Sequence, residues 1–124
     1  MASDLISKEN FKIDYVELPV VDIERAKTFF GGAFGWTFID YGENYCEFCD
    51  GRIKGGFART NEVVSGGPLI VLYHDDLPEI QNRILAAGGS ITTETFSFPG
   101  GERFEFSDPE GHIWGVWRLT GHEE

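Results

Sequence analysis

Two hydrophobic rhythms alternate along the chain, one of period two and one near 3.6. The first period-two run is "KIDYVELPV", residues 12–20, in which Val16, Leu18 and Val20 share one face and Tyr15 and Glu17 the other. Asp22 follows as a helix N-cap, and "IERAKTFFGGAFG" sets Ile23, Ala26, Phe29, Phe30 and Phe34 at near-helical spacing. Gly31, Gly32 and Gly35 leave the C-terminal boundary of that helix open. "WTFIDY", "YCEFCD" and "RIKGGFART" then read as three strands of a meander, separated by the turn residues "GEN" and "DG".

After a linker, "NEVVSGGP", the order repeats. "LIVLYH" is an apolar strand, Asp76 and Glu79 form a capping-box pair, and "LPEIQNRILAAGG" places Leu77, Ile80, Ile84 and Leu85 on one helix face before Gly88 and Gly89 stop it. "SITTETF", "ERFEFS" and "HIWGVWRL" supply three more strands, the last two joined by the turn "DPEG". The pattern is βαβββ, linker, βαβββ, with Asp22 and Asp76 in matching places. It predicts an α+β fold: two modules, about 11–60 and about 69–120 with the linker at 61–68, in a single domain spanning 1–124. The modules would curl into a cup-shaped, largely antiparallel mixed sheet with helices outside.

Strand parity sorts the side chains of that cup. Tyr15 and Glu17 of the first strand and Leu69, Val71 and Tyr73 of the fifth face inward to it, whereas His74 falls on the helix side near a strand end. In "RFEFS", Phe104 and Phe106 go to the core, and Arg103, Glu105 and Ser107 to the cup. In the last strand Trp114 and Val116 go to the core, and Ile113, Gly115 and Trp117 to the cup. A glycine such as Gly115 inside a strand marks a place where something else comes close. An aromatic wall with the sparse polar groups Glu17, Arg103 and Glu105 is the makeup of a small-molecule pocket. The same aromatics would also suit a side-chain-filled interior or a dimer interface. Glu17 and Glu105 are the candidate acid–base pair, although Arg103 can pair with Glu105 and silence it.

Composition narrows the function. The 124 residues carry a formal net charge of -11, which disfavours nucleic acid and anionic membranes as partners. No run approaches the roughly 18 consecutive apolar residues of a membrane span. The polar start "MASDLISKEN" lacks a signal-peptide core, so a cytoplasmic location and reduced cysteines are expected. Cys46 and Cys49, in "CEFC", lie three apart on a strand and so on opposite faces, which suits neither a redox pair nor a zinc site. His112 reads as a turn-exit residue beside the cup mouth, and His122 falls in a tail expected to be disordered.

From about Phe11 to about Leu119 the chain resembles the vicinal oxygen chelate superfamily, which includes glyoxalase I, extradiol dioxygenases and the fosfomycin- and bleomycin-resistance proteins. "YVELPVVD" and "LIVLYHDD" are similar to its H-x-x-L-x-V-x-D motif, with Tyr15 and Leu69 where the histidines stand. "DPEGHIWG" is similar to D-P-x-G-x-x-x-E, with Gly115 where the glutamate stands. The fourth ligand of the family would come from the last strand of the first module, and "RIKGGFAR" offers no Asp, Glu or His. The resemblance implies paired modules, a ligand-holding cup and dimerisation. The residues at the ligand positions imply no metal and no cofactor. The expected function is metal-independent binding of an aromatic or amphipathic small molecule, in a likeness to the bleomycin-resistance proteins. The alternative is a lyase, isomerase or dioxygenase that uses displaced ligands or metal-free acid–base chemistry, with Glu17, Glu105, His112 and Tyr15 as donors. A purely structural role, with the cup closed by side chains, is the third.

Overall fold

The computed structural model describes residues 10–11, 13–63 and 66–120. The elements run β1 (Tyr15–Val20), α1 (Ile23–Phe34), β2 (Thr37–Asp40), β3 (Tyr45–Cys49), β4 (Lys54–Arg59), β5 (Ile70–Tyr73), α2 (Leu77–Ala87), β6 (Ser90–Phe98), β7 (Gly101–Ser107) and β8 (Ile113–Leu119). They form two four-stranded sheets with the same internal order, β1-β4-β3-β2 and β5-β8-β7-β6. In each, the first and last strands of the module pair in parallel and the remaining pairs are antiparallel. The βαβββ repeat of the sequence is therefore the repeat of the fold.

Both helices start where the sequence places a cap. The Asp22 carboxylate accepts from the Arg25 N–H at 3.0 Å and the Asp76 carboxylate from the Glu79 N–H at 3.1 Å. α1 runs on through Gly31 and Gly32 and stops at Gly35, whose φ of 74° is the left-handed cap conformation. The two internal glycines serve packing. A Cβ on Gly31 would press on Phe38 at 3.3 Å, and Gly32 faces Ala87 of α2. α2 buries Leu77, Ile80 and Ile84, but Leu85 is 51% exposed and does not share that face. One residue on from Ile84 is a further ~100° around the helix, which turns Leu85 toward solvent.

Both sheets are held on one core. Phe30 of α1 stacks on Trp36 at 4.7 Å between ring centroids and touches Phe57 of β4 at 5.6 Å and Trp114 of β8 at 5.1 Å. Phe29 reaches Phe106 of β7 at 6.1 Å. Fully burying each of these rings is worth about 2–3 kcal/mol, so one helix face ties the two modules together.

A polar tie reinforces the apolar one. Glu110, in the β7–β8 turn, is 4% exposed and lies over the start of α1. Its carboxylate accepts from the Val21 N–H at 2.5 Å, the Asp22 N–H at 3.0 Å and the Arg25 guanidinium at 2.5 Å. The turn itself is held by Asp108, which accepts from the Glu110 and His112 N–H groups and from the Trp114 indole N–H. The His112 ring nitrogen Nε2 meets the Pro19 carbonyl at 2.7 Å, a third link between the modules. Among the described residues, no helix is long and apolar enough to cross a membrane.

Candidate ligand-binding faces

Each sheet turns one face to the shared core and leaves the other open. On the first sheet, Val20, Cys46, Phe48 and Phe57 are buried on the core side. Parity then puts Tyr15 and Glu17 (β1), Tyr45 and Glu47 (β3) and Lys54, Gly56 and Ala58 (β4) on the open side. On the second sheet, Phe104, Phe106, Trp114 and Val116 are buried, and Tyr73, Arg103, Glu105, Gly115 and Trp117 are on the open side. Tyr15, Leu69, Val71, Tyr73 and Ile113 are 39–47% exposed, because no part of the described chain covers these faces.

The two open faces are built on the same lattice. Gly56 sits between Glu17 and Glu47 in the first sheet, and Gly115 sits between Val71 and Glu105 in the second. By register the counterparts are Tyr15 and Leu69, Glu17 and Val71, Tyr45 and Arg103, and Gly56 and Gly115. In both sheets a long side chain from the neighbouring strand lies over the glycine. Tyr45 crosses Gly56 so closely that a Cβ there would collide with its phenol. Arg103 crosses Gly115 with its Cδ 3.3 Å from where a Cβ would be, and Val71 fills the other side at 3.4 Å. The space that Gly115 suggests in the sequence is thus taken up by Arg103 and Val71, and Gly115 itself is buried.

On the first sheet the polar groups form a chain. Tyr15 Oη is 2.7 Å from Tyr45 Oη, and Tyr45 donates to Glu17 Oε1 at 3.0 Å. Burial first, and then the bonds to Tyr15 and Glu17, push the Tyr45 phenol well above its usual range. On the second sheet Arg103 is paired with Glu105 at 3.1 Å, and Glu105 also accepts from the Thr93 hydroxyl at 3.2 Å. Glu17 and Glu105, the candidate acid–base pair, therefore sit on separate sheets with separate partners.

The second face is otherwise aromatic. Trp117 meets Tyr73 edge-on at 5.1 Å and Phe98 at 6.3 Å, and the Arg103 guanidinium carbon lies 5.2 Å from the centre of the Phe96 ring. Phe96 and Phe98 are absent from the cup read from the sequence. Two one-residue register shifts between Ile91 and Phe96 cancel in parity, so alternation from the core-packed Ile91 puts Phe96 and Phe98 on the open face opposite Arg103 and Gly101. Tyr45 was also missed, although parity in "YCEFC" puts it with Glu47 on the open face.

The remaining chemical candidates have structural partners. His74 Nδ1 accepts from the Asp76 N–H at 2.9 Å, just ahead of α2. Cys46 is buried and its thiol is pushed up to about 11, chiefly by that burial, while Cys49 points to the open side. His122 lies outside the described residues.

The donor set does not fit a divalent ion. Register makes Gly56 the counterpart of Gly115, so the positions that ligate metal in the resembled family hold Tyr15, Gly56, Leu69 and Gly115. Two glycines and a leucine have no side-chain donor, and the remaining phenol gives its proton to a hydrogen bond. Among the described residues, no three His, Cys, Asp or Glu side chains converge in a metal-binding group.

Comparison with known structures agrees with the topology. A glyoxalase-related enzyme from Fulvimarina pelagi superposes with a TM-score of 0.74 at 19% identity, over 92% of this chain and 96% of that one. The fosfomycin resistance protein FosX from Listeria monocytogenes gives 0.78 at 16% identity, over 93% and 98%. TioX from Micromonospora sp. ML1 gives 0.69 at 24% identity, over 88% and 99%. At these identities the likeness shows the fold alone. No curated protein matches the sequence significantly. The family model for the Glyoxalase/Bleomycin resistance protein/Dioxygenase superfamily matches residues 12–116, and the chain belongs to that superfamily.

Proposed function

We propose that this protein binds an aromatic or amphipathic small molecule without a metal or other cofactor. In this reading it works in the cytoplasm as a homodimer, with a second copy completing the cup. The observation that carries the proposal is the uncovered aromatic face of the second sheet, in which Tyr73, Phe98, Phe96 and Trp117 surround the Arg103–Glu105 pair. Rigid aromatic walls with a few fixed polar groups bind small molecules at low conformational cost. Dimerisation is supported by the placement of the open faces. Both lie away from the shared core, and among the described residues nothing encloses a cup between them.

Acid–base catalysis by Glu17 and Glu105 has less support, because each carboxylate is already engaged, by Tyr45 in one case and by Arg103 and Thr93 in the other. A thermal-shift screen of aromatic small molecules in the presence of a chelator tests the proposal. A ligand at about 100 times its Kd adds about 2.7 kcal/mol of stability, a clear rise in Tm. Stabilisation that survives chelation and is lost in Trp117→Ala is the expected result. Stabilisation that needs an added divalent ion would contradict the proposal. Sedimentation should show a dimer, and a monomer at high concentration would remove the two-copy cup.

A further inference from the structure

We propose that the Tyr15–Tyr45–Glu17 chain on the first sheet recognises a protonated amine, so that the ligand of the cup is a cation. This inference rests on the binding reading above and names the class of molecule it would take.

It follows from counting protons. A phenol has one proton to donate, and an ionised carboxylate has none. Tyr45 donates its proton to Glu17 at 3.0 Å. The 2.7 Å contact between the two phenols therefore has Tyr15 as its donor. Both hydroxyl protons are committed within the chain. What the cluster offers outward is lone pairs, on Tyr15 Oη and on the second oxygen of Glu17. Both residues are exposed, Tyr15 at 39%. Each bond in a chain that ends on a carboxylate polarises the next, so the Tyr15 oxygen becomes a stronger acceptor.

An acceptor-only site selects its ligand. A carboxylate or phosphate would meet lone pairs with lone pairs. An ammonium group brings several N–H donors and a charge, and the faces of two tyrosine rings add cation–π attraction. The surrounding charge agrees. Glu47 lies across Gly56 from Glu17, and Lys54, a cation on the open side of β4, sits 3.7 Å from Glu47. A metal ion is a poorer match, because phenols must lose their protons to ligate and both protons here are held in hydrogen bonds. The position is fixed by Gly56, whose missing side chain leaves the place where the Tyr45 phenol end sits within reach of both partners.

The test uses the full-length protein and four probes that share a phenylbutyl group: 4-phenylbutylamine, its trimethylammonium analogue, 4-phenylbutanol and 4-phenylbutyrate. Calorimetry at neutral pH should rank the amine tightest and the carboxylate weakest. Hydrogen bonds to charged groups carry enough energy that Tyr15→Phe and Glu17→Gln should each weaken the amine about tenfold, with the alcohol unchanged. Tyr15→Phe leaves the Tyr45–Glu17 bond in place, so its Tm should match the wild type and exclude misfolding. Equal binding of amine and carboxylate, or amine binding indifferent to both variants, would overturn cation recognition while leaving the aromatic cup intact. Equal binding of the trimethylammonium probe would overturn the hydrogen-bond assignment. No binding of any probe at millimolar concentration would overturn this inference and the binding reading together.

Discussion

The two modules carry the same lattice and opposite chemistry. Gly56 and Gly115 hold equivalent places, each beneath a long side chain from the neighbouring strand, yet Tyr45 over the first completes a hydrogen-bonded chain and Arg103 over the second closes an ion pair. Where the first sheet carries the acceptor pole Tyr15, Glu17 and Tyr45, the second has Leu69, Val71 and Arg103, and its aromatic face is supplied by Tyr73, Phe96, Phe98 and Trp117. The β3–β4 and β7–β8 turns show the same divergence. Asp50 accepts from the Arg52 and Ile53 N–H groups in an exposed turn. Asp108 does the equivalent work in a buried one, where Glu110 reaches across to the other module. A duplicated scaffold has thus kept its backbone and divided its tasks among a few side chains.

The turns give the largest test. Glu110→Ala strands two backbone N–H groups and the Arg25 guanidinium, and should cost about 2–4 kcal/mol in urea unfolding. Asp50→Ala, in the solvent-exposed turn, should cost about 1 kcal/mol. Equal costs would mean that the inter-module tie contributes nothing beyond an ordinary turn. The glycines come next. Gly56→Ala must expel Tyr45 and should cost about 1–3 kcal/mol, whereas Gly115→Ala asks the flexible Arg103 side chain to give by a few tenths of an ångström and should stay below about 1 kcal/mol. Similar losses at both sites would break the claim that the two faces are packed differently. The smallest effect is expected from Arg103→Met, since a part-exposed ion pair contributes about 0–1 kcal/mol.

Acid titration sharpens the contrast between the two buried carboxylates of the turn. Burial raises the Glu110 pKa, but hydrogen bonds from Val21, Arg25 and Asp22 outweigh it and leave the group below 4.5. A folded-state pKa below the unfolded one means that its stabilisation is present above about 4.5 and is lost as pH falls through the lower folded value. Burial raises Asp108 above 3.8 against the bonds from Trp114, His112 and Glu110. That group binds a proton more readily when folded, so it works in the opposite sense on acidification. Glu110→Gln should therefore flatten or reverse the loss of stability below pH 4.5. An unchanged pH profile of unfolding would show that Glu110 is not the group responsible.

Much of this fold is written locally. Asp22 and Asp76 mark helix starts through carboxylate bonds to N–H groups three residues on, and alternation in "RFEFS" and "HIWGVW" separates Phe104, Phe106, Trp114 and Val116 from Arg103, Glu105 and Trp117. What escaped the sequence depends on distant or irregular partners. Glu110 reads as a turn residue, and its bond to Val21 spans 89 positions. Phe96 and Phe98 lie beyond two irregularities in β6, and their place beside Arg103 and Gly101 is read from the pairing with β7. The fourth ligand position could not be placed by motif, and register alone identifies it as Gly56. Leu85 was misplaced because apolar character was taken as burial at a position one step past the buried stripe.

Metal content tests the central claim most directly, because Tyr15, Gly56, Leu69 and Gly115 replace a ligand set instead of modifying it. Elemental analysis of the protein purified without chelator should find zinc, nickel, iron and manganese far below one equivalent per chain. A near-stoichiometric amount of any of them, lost together with ligand binding on dialysis against chelator, would contradict the account.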